Sequence, residues 1–189
     1  MIHKGTVTLE TERLILRRFV SADDTAMYAN WCAVPDVTKY LMWKTHDTIE
    51  ETRRVLSDIW LSEYDKPNFY QWAIVVKDIN EPIGSIGVVK QDEQIKMVHI
   101  GYCIGKAWWN KGYTSEALIE LVRFFFEEVG VNRIESRHDP RNPNSGKVMI
   151  KAGLRYEGTL RESDTNNQDG FCDAAYYAIL EKDYKEEQK

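Results

Sequence analysis

The chain contains few cysteines, and their spacing does not suggest that they organise a fold. Only Cys32, Cys103 and Cys172 occur among the 189 residues, and no CxxC pair is present. An odd number of widely separated cysteines predicts neither a disulfide framework nor a zinc cluster. We therefore expect reduced thiols and no metal site.

Long apolar runs, a leader sequence and an excess of positive charge are also missing. No run approaches the roughly 18 apolar residues of a membrane span, and the opening MIHKGTVTLETERLILRRF has no apolar core of signal-peptide length. The formal net charge is −5, which argues against a nucleic-acid or membrane partner and suits a cationic substrate such as an amine. We expect a cytoplasmic protein.

The sequence has no repeat, no low-complexity tract and no linker rich in proline or glycine. Apolar residues make up 43% of the chain and charged residues 29%, which is an ordinary globular composition. The length is sufficient to bury a sizeable core. We therefore expect one domain over residues 1–189.

Hydrophobic periodicity predicts an alternation of strands and helices. Strands are expected over residues 13–19, 70–77, 83–90, 96–104, 133–138, 155–161 and 171–180, and helices over 21–31, 48–64, 114–129 and 142–153. Short turns favour antiparallel pairing, whereas the helical crossover places the strand at 133–138 parallel to the strand at 96–104. Ser21 is expected to cap the first helix, residues 162–170 to form an exposed loop, and the charged tail after Leu180 to fray.

The stretch IGYCIGKAWWNKGYTSEA, residues 100–117, passes from a strand through a loop into a helix. Unpaired N–H groups and the positive end of the helix dipole make such a loop suitable for a phosphate, and Lys111 adds a point charge. The stretch matches neither a nucleotide P-loop nor a dinucleotide-binding fingerprint. A plain strand–turn–helix connection without a ligand therefore stays open.

The amino-acid sequence of this stretch resembles the acetyl-CoA-binding segment of the GNAT superfamily of N-acyltransferases. Within that superfamily it is most similar to the RimJ/RimL type, the ribosomal-protein N-terminal acetyltransferases. The family loop falls on Trp109, Gly112 and Thr114. Asn110 stands where this branch usually has Gly, and Thr114 where it has Gly or Ala. Neither change removes a backbone donor, although Thr114 crowds the approach of a phosphate.

Two further segments carry the resemblance. Thr11-Glu12-Arg13-Leu14 is similar to the start of the family's first strand, and Asn142 and Ser145 match its Asn-x-x-Ser segment. The resemblance implies a mixed α/β sheet, mostly antiparallel, with a splayed central parallel strand pair and flanking helices. A weak homodimer is common in such folds.

The resemblance also implies that acetyl-CoA is the co-substrate and that an amine is the acceptor, either a peptide N-terminus or a small molecule. The residues expected to contact CoA are Cys103, Ile104, Trp109, Asn110, Lys111, Gly112, Tyr113, Thr114, Ser115, Asn142 and Ser145. Backbone N–H groups near residues 103–105 are expected to polarise the thioester carbonyl.

Two residues compete for the role of catalytic base. His99 occupies the strand position where the family often has Glu, and an imidazole can accept a proton at neutral pH. Asp164 falls where RimJ/RimL-type enzymes place a carboxylate that acts through water. Ser145 is the candidate acid for the leaving sulfur. Each residue also has a structural interpretation: a hydrogen-bonded histidine, an exposed loop acid and an ordinary residue of a first helical turn.

Two further features of the sequence, and the function itself, each allow two interpretations. The features are Asn142 and the aromatic segment at residues 39–44. Asn142 is also a good N-cap before Pro143. The aromatic segment forms either a loop packed on the core or a wall of the acceptor pocket. The second functional hypothesis is a non-catalytic CoA-binding sensor or interaction module, which the departures at His99, Asn110 and Thr114 leave open.

Overall fold

The strands join one mixed sheet. A computed structural model describes residues 1–187, in which the sheet has 8 strands. The strands are β1 (Leu9–Glu10), β2 (Leu14–Arg17), β3 (Gln71–Val76), β4 (Glu81–Asp92), β5 (Met97–Ile104), β6 (Arg133–His138), β7 (Arg155–Asn166) and β8 (Gly170–Leu180). Their spatial order is β1-β2-β3-β4-β5-β6-β8-β7, and among these strands only β5 and β6 pair in parallel. The predicted mixed, mostly antiparallel architecture is confirmed.

Helices cover both faces of the sheet. They are α1 (Asp24–Met27), α2 (Pro35–Thr38), α3 (Ile49–Arg54), α4 (Tyr113–Phe124), α5 (Pro143–Lys151) and α6 (Glu181–Glu187). Helical turns extend α1 over residues 21–32, α3 to residue 63 and α4 to Val129. No helix within residues 1–187 combines the length and the apolarity needed to cross a bilayer.

Two helix ends differ from the prediction. The residue that precedes the first helical run is Val20 rather than Ser21, and the Asp23 carboxylate accepts a hydrogen bond from the Val20 N–H at 2.9 Å. The N–H group that precedes the helix is therefore paired with a carboxylate three residues further along the chain. The tail after Leu180 forms α6 instead of fraying, and its last two residues lie outside the described part of the chain.

The central parallel pair separates after a short contact. Residues 97–99 of β5 pair with residues 133–135 of β6, but β5 continues to Ile104 and β6 to His138 without pairing to each other. The Ser136 hydroxyl donates to the Ile100 carbonyl at 2.7 Å and marks the start of the gap. The expected splay is thus present, and it opens the sheet at the carboxyl ends of both strands.

The core has one part on each face of the sheet. The larger part lies under α4 and α5, and the predicted apolar stripe of the α4 run, Leu118, Leu121, Val122, Phe125 and Val129, is buried there. The smaller part packs the α1 and α3 runs on the other face around Phe19, Met27 and Trp31. Because side chains alternate along a strand, β5 contributes Val98 and Ile100 to one face and Cys103 to the other.

The predicted loop at residues 162–170 is wrong. β7 extends to Asn166 and β8 begins at Gly170, with Asp164 paired to Cys172, so only residues 167–169 form the turn. The sequence hides this extension because β7 is an edge strand and most of its side chains are exposed. An edge strand of this kind carries no alternation of apolar and polar residues.

Candidate active site

A cleft of about 440 Å³ opens where β5 and β6 separate. Its walls come from residues 36–41, the end of β5, the loop into α4, and the first turns of α5. The carboxyl end of a splayed strand pair is where an α/β sheet offers backbone groups that no neighbouring strand uses. The cleft therefore combines free backbone polar groups with the ends of two helices.

The loop before α4 presents a row of unused donors. Asn110 and Gly112 have positive φ angles of 61° and 83°, and Gly112 is the residue that precedes the helix. Among the described residues, none accepts a hydrogen bond from the backbone N–H groups of residues 110–115, and the first helical bond runs from Glu116 N to the Gly112 carbonyl. This row suits an anion, because the N–H groups and the helix dipole carry positive charge.

The opposite wall is the start of α5. Asn142 precedes this helix as predicted, but its side chain makes no capping hydrogen bond. Capping alone therefore does not explain Asn142, and its amide is free to contact a ligand. The Tyr102 hydroxyl donates to the Ser145 carbonyl at 2.8 Å, and the Ser145 hydroxyl donates to the Tyr102 oxygen at 3.3 Å. Burial raises the pKa of Tyr102, which keeps this phenol protonated.

Most of the predicted CoA contacts border this cleft. Lining residues from that set are Cys103, Ile104, Trp109, Asn110, Gly112, Tyr113, Thr114, Ser115, Asn142 and Ser145. Lys111 is exposed and does not line the cleft, and its carbonyl accepts a hydrogen bond from Arg13. Thr114 is 7% exposed, so its side chain is directed into the protein.

One expectation about the carbonyl-polarising groups needs correction. The Gly105 N–H already donates to the Ile83 carbonyl at 2.8 Å, so it is not available to a thioester. Because backbone groups alternate sides along a strand, the N–H of Ile104 faces the gap beside β6. The Cys103 side chain packs on the other face and lies 3.4 Å from the Ser85 hydroxyl.

His99 is buried in a polar network on the face opposite α4 and α5. Its Nδ1 lies 3.0 Å from a Glu135 oxygen, and its Nε2 lies 3.3 Å from an Arg137 nitrogen. An arginine can only donate, so Nε2 accepts and Nδ1–H donates to Glu135. The hydrogen bond from His99, followed by that from Arg133, lowers the pKa of Glu135. Both ring nitrogens of His99 therefore have partners.

Arg137 joins the two predicted bases. Its Nε donates to Asp164 at 2.5 Å, while its guanidinium also lies 5.8 Å from the Tyr176 ring. Asp164 has a side chain that is 13% exposed, unlike the exposed loop acid that its sequence position suggested. Within residues 1–187, its second oxygen accepts only from the adjacent Thr165 N–H. Neither His99 nor Asp164 lines the cleft.

The aromatic segment at residues 39–44 combines both of its predicted roles. Tyr40 and Leu41 line the cleft, whereas Trp43 packs against the smaller core. Asn167 in the turn between β7 and β8 donates to the carbonyls of Thr38 (3.1 Å) and Trp43. The segment is thereby attached to the far end of the sheet and closes one side of the cleft.

No role is predicted from the sequence for Glu135, Arg137 or Arg13. A signal for the first two was present, because β6 carries charged residues at alternate positions between buried Ile134 and Ser136. Charges repeated with period two on a central strand indicate a polar pair on one face. Arg13 lies in the segment Thr11-Glu12-Arg13-Leu14, but no neighbouring residue indicates its partner.

The architecture is a mixed sheet that opens at its parallel strand pair, with a row of unused backbone N–H groups at the opening. Comparison with known proteins agrees: residues 13–155 match the family model of the acetyltransferase (GNAT) domain. The uncharacterized N-acetyltransferase p20 from Bacillus licheniformis is 31% identical over 178 residues, which cover 94% of this chain and 98% of that protein. The chain belongs to the GNAT acetyltransferase family.

Two other similarities are relevant. The crystal structure of a GNAT-family acetyltransferase from Bacillus anthracis has a TM-score of 0.81 and 28% identity, with 93% of this chain and 99% of that chain covered. The ribosomal protein uS5-alanine N-acetyltransferase of Escherichia coli is 31% identical over 64 residues, which cover 34% of this chain and 33% of that protein.

Proposed function

We propose that the chain, as a single domain, transfers an acetyl group from acetyl-CoA to a primary amine in a ternary complex. The observation that carries the proposal is the row of unpaired N–H groups over residues 110–115 at the mouth of the splayed strands. In a GNAT-family chain, this row suits the pyrophosphate of CoA. The free amide of Asn142 on the opposite wall suits the amide groups of the pantetheine arm.

For the acceptor, we propose a low-pKa amine such as a protein N-terminal α-amine, as in RimJ/RimL-type enzymes, or a small molecule with a similar amine. Partial similarity to the uS5-alanine N-acetyltransferase supports this choice. An α-amine with a pKa of about 8 is roughly one-tenth unprotonated at neutral pH, so a weakly basic site suffices. A lysine side chain with a pKa of about 10.4 demands a stronger base.

For the base, the geometry favours Asp164 over His99. Both nitrogens of His99 are engaged by Glu135 and Arg137, so the ring presents no free lone pair to the amine. Asp164 does not line the cleft, but within residues 1–187 one of its oxygens has a single backbone partner, so it would act through a bound water molecule that takes the amine proton. His99 and Arg137 then act as positioning residues for this carboxylate.

For the leaving group, Ser145 is the proposed donor to the departing sulfur. Ser145 lines the cleft, and among the described residues its hydroxyl makes only a 3.3 Å hydrogen bond to Tyr102, which it can exchange for the sulfur. The protonated Tyr102 hydroxyl holds the Ser145 carbonyl and fixes the first turn of α5. Stabilisation of the thiolate would therefore come from a positioned hydroxyl.

Two measurements test the proposal together. CoA binding is measured by calorimetry, and acetyl transfer is measured as thiol release, with products identified by mass spectrometry, for a panel of N-terminal peptides and small amines. We expect CoA binding and transfer to at least one α-amine. Binding of CoA without thiol release from any amine would favour the non-catalytic sensor or interaction module, and absence of CoA binding would reject both functions.

A further inference from the structure

Arg13 lies beside the loop that presents the unpaired N–H groups. Its guanidinium stacks on the Tyr113 ring at 4.6 Å, and its Nη1 donates to the Lys111 carbonyl at 3.0 Å. A Cβ atom added to Gly112 would lie 3.4 Å from its Nη2. Three consecutive residues of the loop are thus in contact with, or adjacent to, one side chain from the start of β2.

Glu116 holds this guanidinium in place from the first turn of α4. One Glu116 oxygen accepts from Arg13 Nε at 2.7 Å and lies 2.6 Å from Nη2, and the other accepts from the Arg13 N–H at 2.9 Å and the Thr11 hydroxyl at 2.5 Å. Burial opposes ionisation of Glu116, but the hydrogen bonds from Thr11 and Arg13 outweigh it and lower its pKa. The result is an ion pair with fixed geometry.

Peptide planarity links this ion pair to the anion site. The carbonyl of Lys111 and the N–H of Gly112 belong to one trans peptide unit and therefore point in opposite directions. When Arg13 binds the carbonyl, the N–H must face away from Arg13. Gly112 lines the cleft, so this orientation directs its N–H into the anion site.

We propose that Arg13, held by Glu116, is a positioning residue that preorganises the phosphate-binding loop before CoA arrives. The inference rests on the proposed CoA site. It concerns geometry more than charge, because the Arg13–Glu116 pair is electrically neutral and attracts a distant phosphate only weakly. An ordered loop costs less conformational entropy when the ligand binds.

The test compares Arg13→Gln and Arg13→Lys with the native protein. CoA affinity is measured by calorimetry, and steady-state kinetics use acetyl-CoA and S-acetylpantetheine, a donor without phosphates. Both variants should bind CoA about tenfold more weakly, the effect of losing one charge-assisted hydrogen bond that orders the loop. KM for acetyl-CoA should rise similarly with kcat within twofold, and transfer from S-acetylpantetheine should not change.

Arg53→Gln is the matched control. Arg53 pairs with Asp24 on the surface and has a similarly exposed side chain, 53% against 43% for Arg13, but lies outside the cleft. Its CoA affinity should stay within twofold of native. If Arg13→Gln does not fold, Glu116→Gln carries the same expectation, because it loosens the same clamp while preserving side-chain volume.

Three results would overturn the proposal: native CoA affinity in Arg13→Gln, full retention of affinity in Arg13→Lys, or an equal loss with S-acetylpantetheine. The second would show that charge alone matters, and the third that the defect is a general loss of structure. If the native protein binds CoA and Gly112→Asp does not, the proposed function stands even when the Arg13 inference fails.

Discussion

The Gly112→Asp substitution tests the proposed phosphate-binding role of the loop before α4 separately from the stability of the fold. Gly112 has φ = 83° and precedes α4, so any side chain there adopts a left-handed conformation. This strain costs about 1 kcal/mol, which corresponds to about 2–4 °C in Tm for a chain of this size. An added Cβ finds its nearest neighbour at 3.4 Å, an ordinary contact, so the fold should persist.

The effect on CoA binding should be much larger than the effect on stability. An aspartate at this position adds a negative charge beside the row of N–H groups. A like charge at about 4 Å costs between about 1 kcal/mol in water and about 4 kcal/mol at a protein surface. Part of this repulsion is offset by Arg13. We expect a net loss of about 2 kcal/mol or more, which is roughly thirtyfold or more in Kd.

Gly130→Asp provides the matched control. Gly130 also has a left-handed backbone, with φ = 74°, it follows the far end of the same helical run, and a Cβ there would meet nothing within 4 Å. The strain is similar, and an acid near a helix C-terminus costs about 0.3–1 kcal/mol more. Calorimetry should show native CoA affinity in Gly130→Asp.

Two results would refute this reasoning. Native CoA affinity in Gly112→Asp would show that the loop does not contact the pyrophosphate. An equal loss of affinity in Gly130→Asp would show that the defect arises from destabilisation. Gly112→Ala resolves the contributions further, because it adds the strain without the charge and should weaken CoA binding less than tenfold.

The remaining predictions concern catalysis and pH. Asp164→Asn should lower kcat/KM about a hundredfold and His99→Ala only a few-fold, both with native CoA affinity; thiol-release assays in which the order is reversed would return the role of base to His99. Ser145→Ala should lower kcat and leave KM nearly unchanged, whereas native turnover would exclude the hydroxyl from the leaving-group step. Since His99 and then Arg133 lower the pKa of Glu135, its contribution to stability is present above the ordinary carboxyl pKa and is lost as the pH falls through the lowered value. Urea titrations should therefore show a larger difference between the native protein and Glu135→Gln near pH 6 than near pH 3, and equal differences would contradict the linkage.

The network around Arg137 joins the two residues that compete for the role of base in the sequence. His99 matched a strand position and Asp164 matched a loop position, so each was judged separately. In the structure, the guanidinium of Arg137 contacts both residues. Both nitrogens of His99 have hydrogen-bond partners, whereas one oxygen of Asp164 accepts from a single backbone N–H. Their roles are therefore coupled, and a single substitution at either residue also changes the surroundings of the other.

Local patterns in the sequence determined the elements that position the site. The β6 strand occupies Arg133–His138 as predicted, and the apolar stripe of the α4 run is buried. The glycine before α4 and the Asn142-Pro143 helix start were also readable, because glycine permits a positive φ and proline suits a first helical turn. These features depend on residues that are neighbours along the chain.

Only the tertiary structure decided which distant side chains meet. Arg13 and Lys111 are 98 residues apart, and His99 and Arg137 are 38 residues apart. Periodicity tells which face of an element is buried, but these contacts depend on strand order and register, which no local pattern contains. The extent of β7 was hidden for a related reason. An edge strand that is mostly solvent-exposed lacks a regular apolar alternation, so the polar residues around Asp164 resembled a loop, although Asp164 pairs with β8.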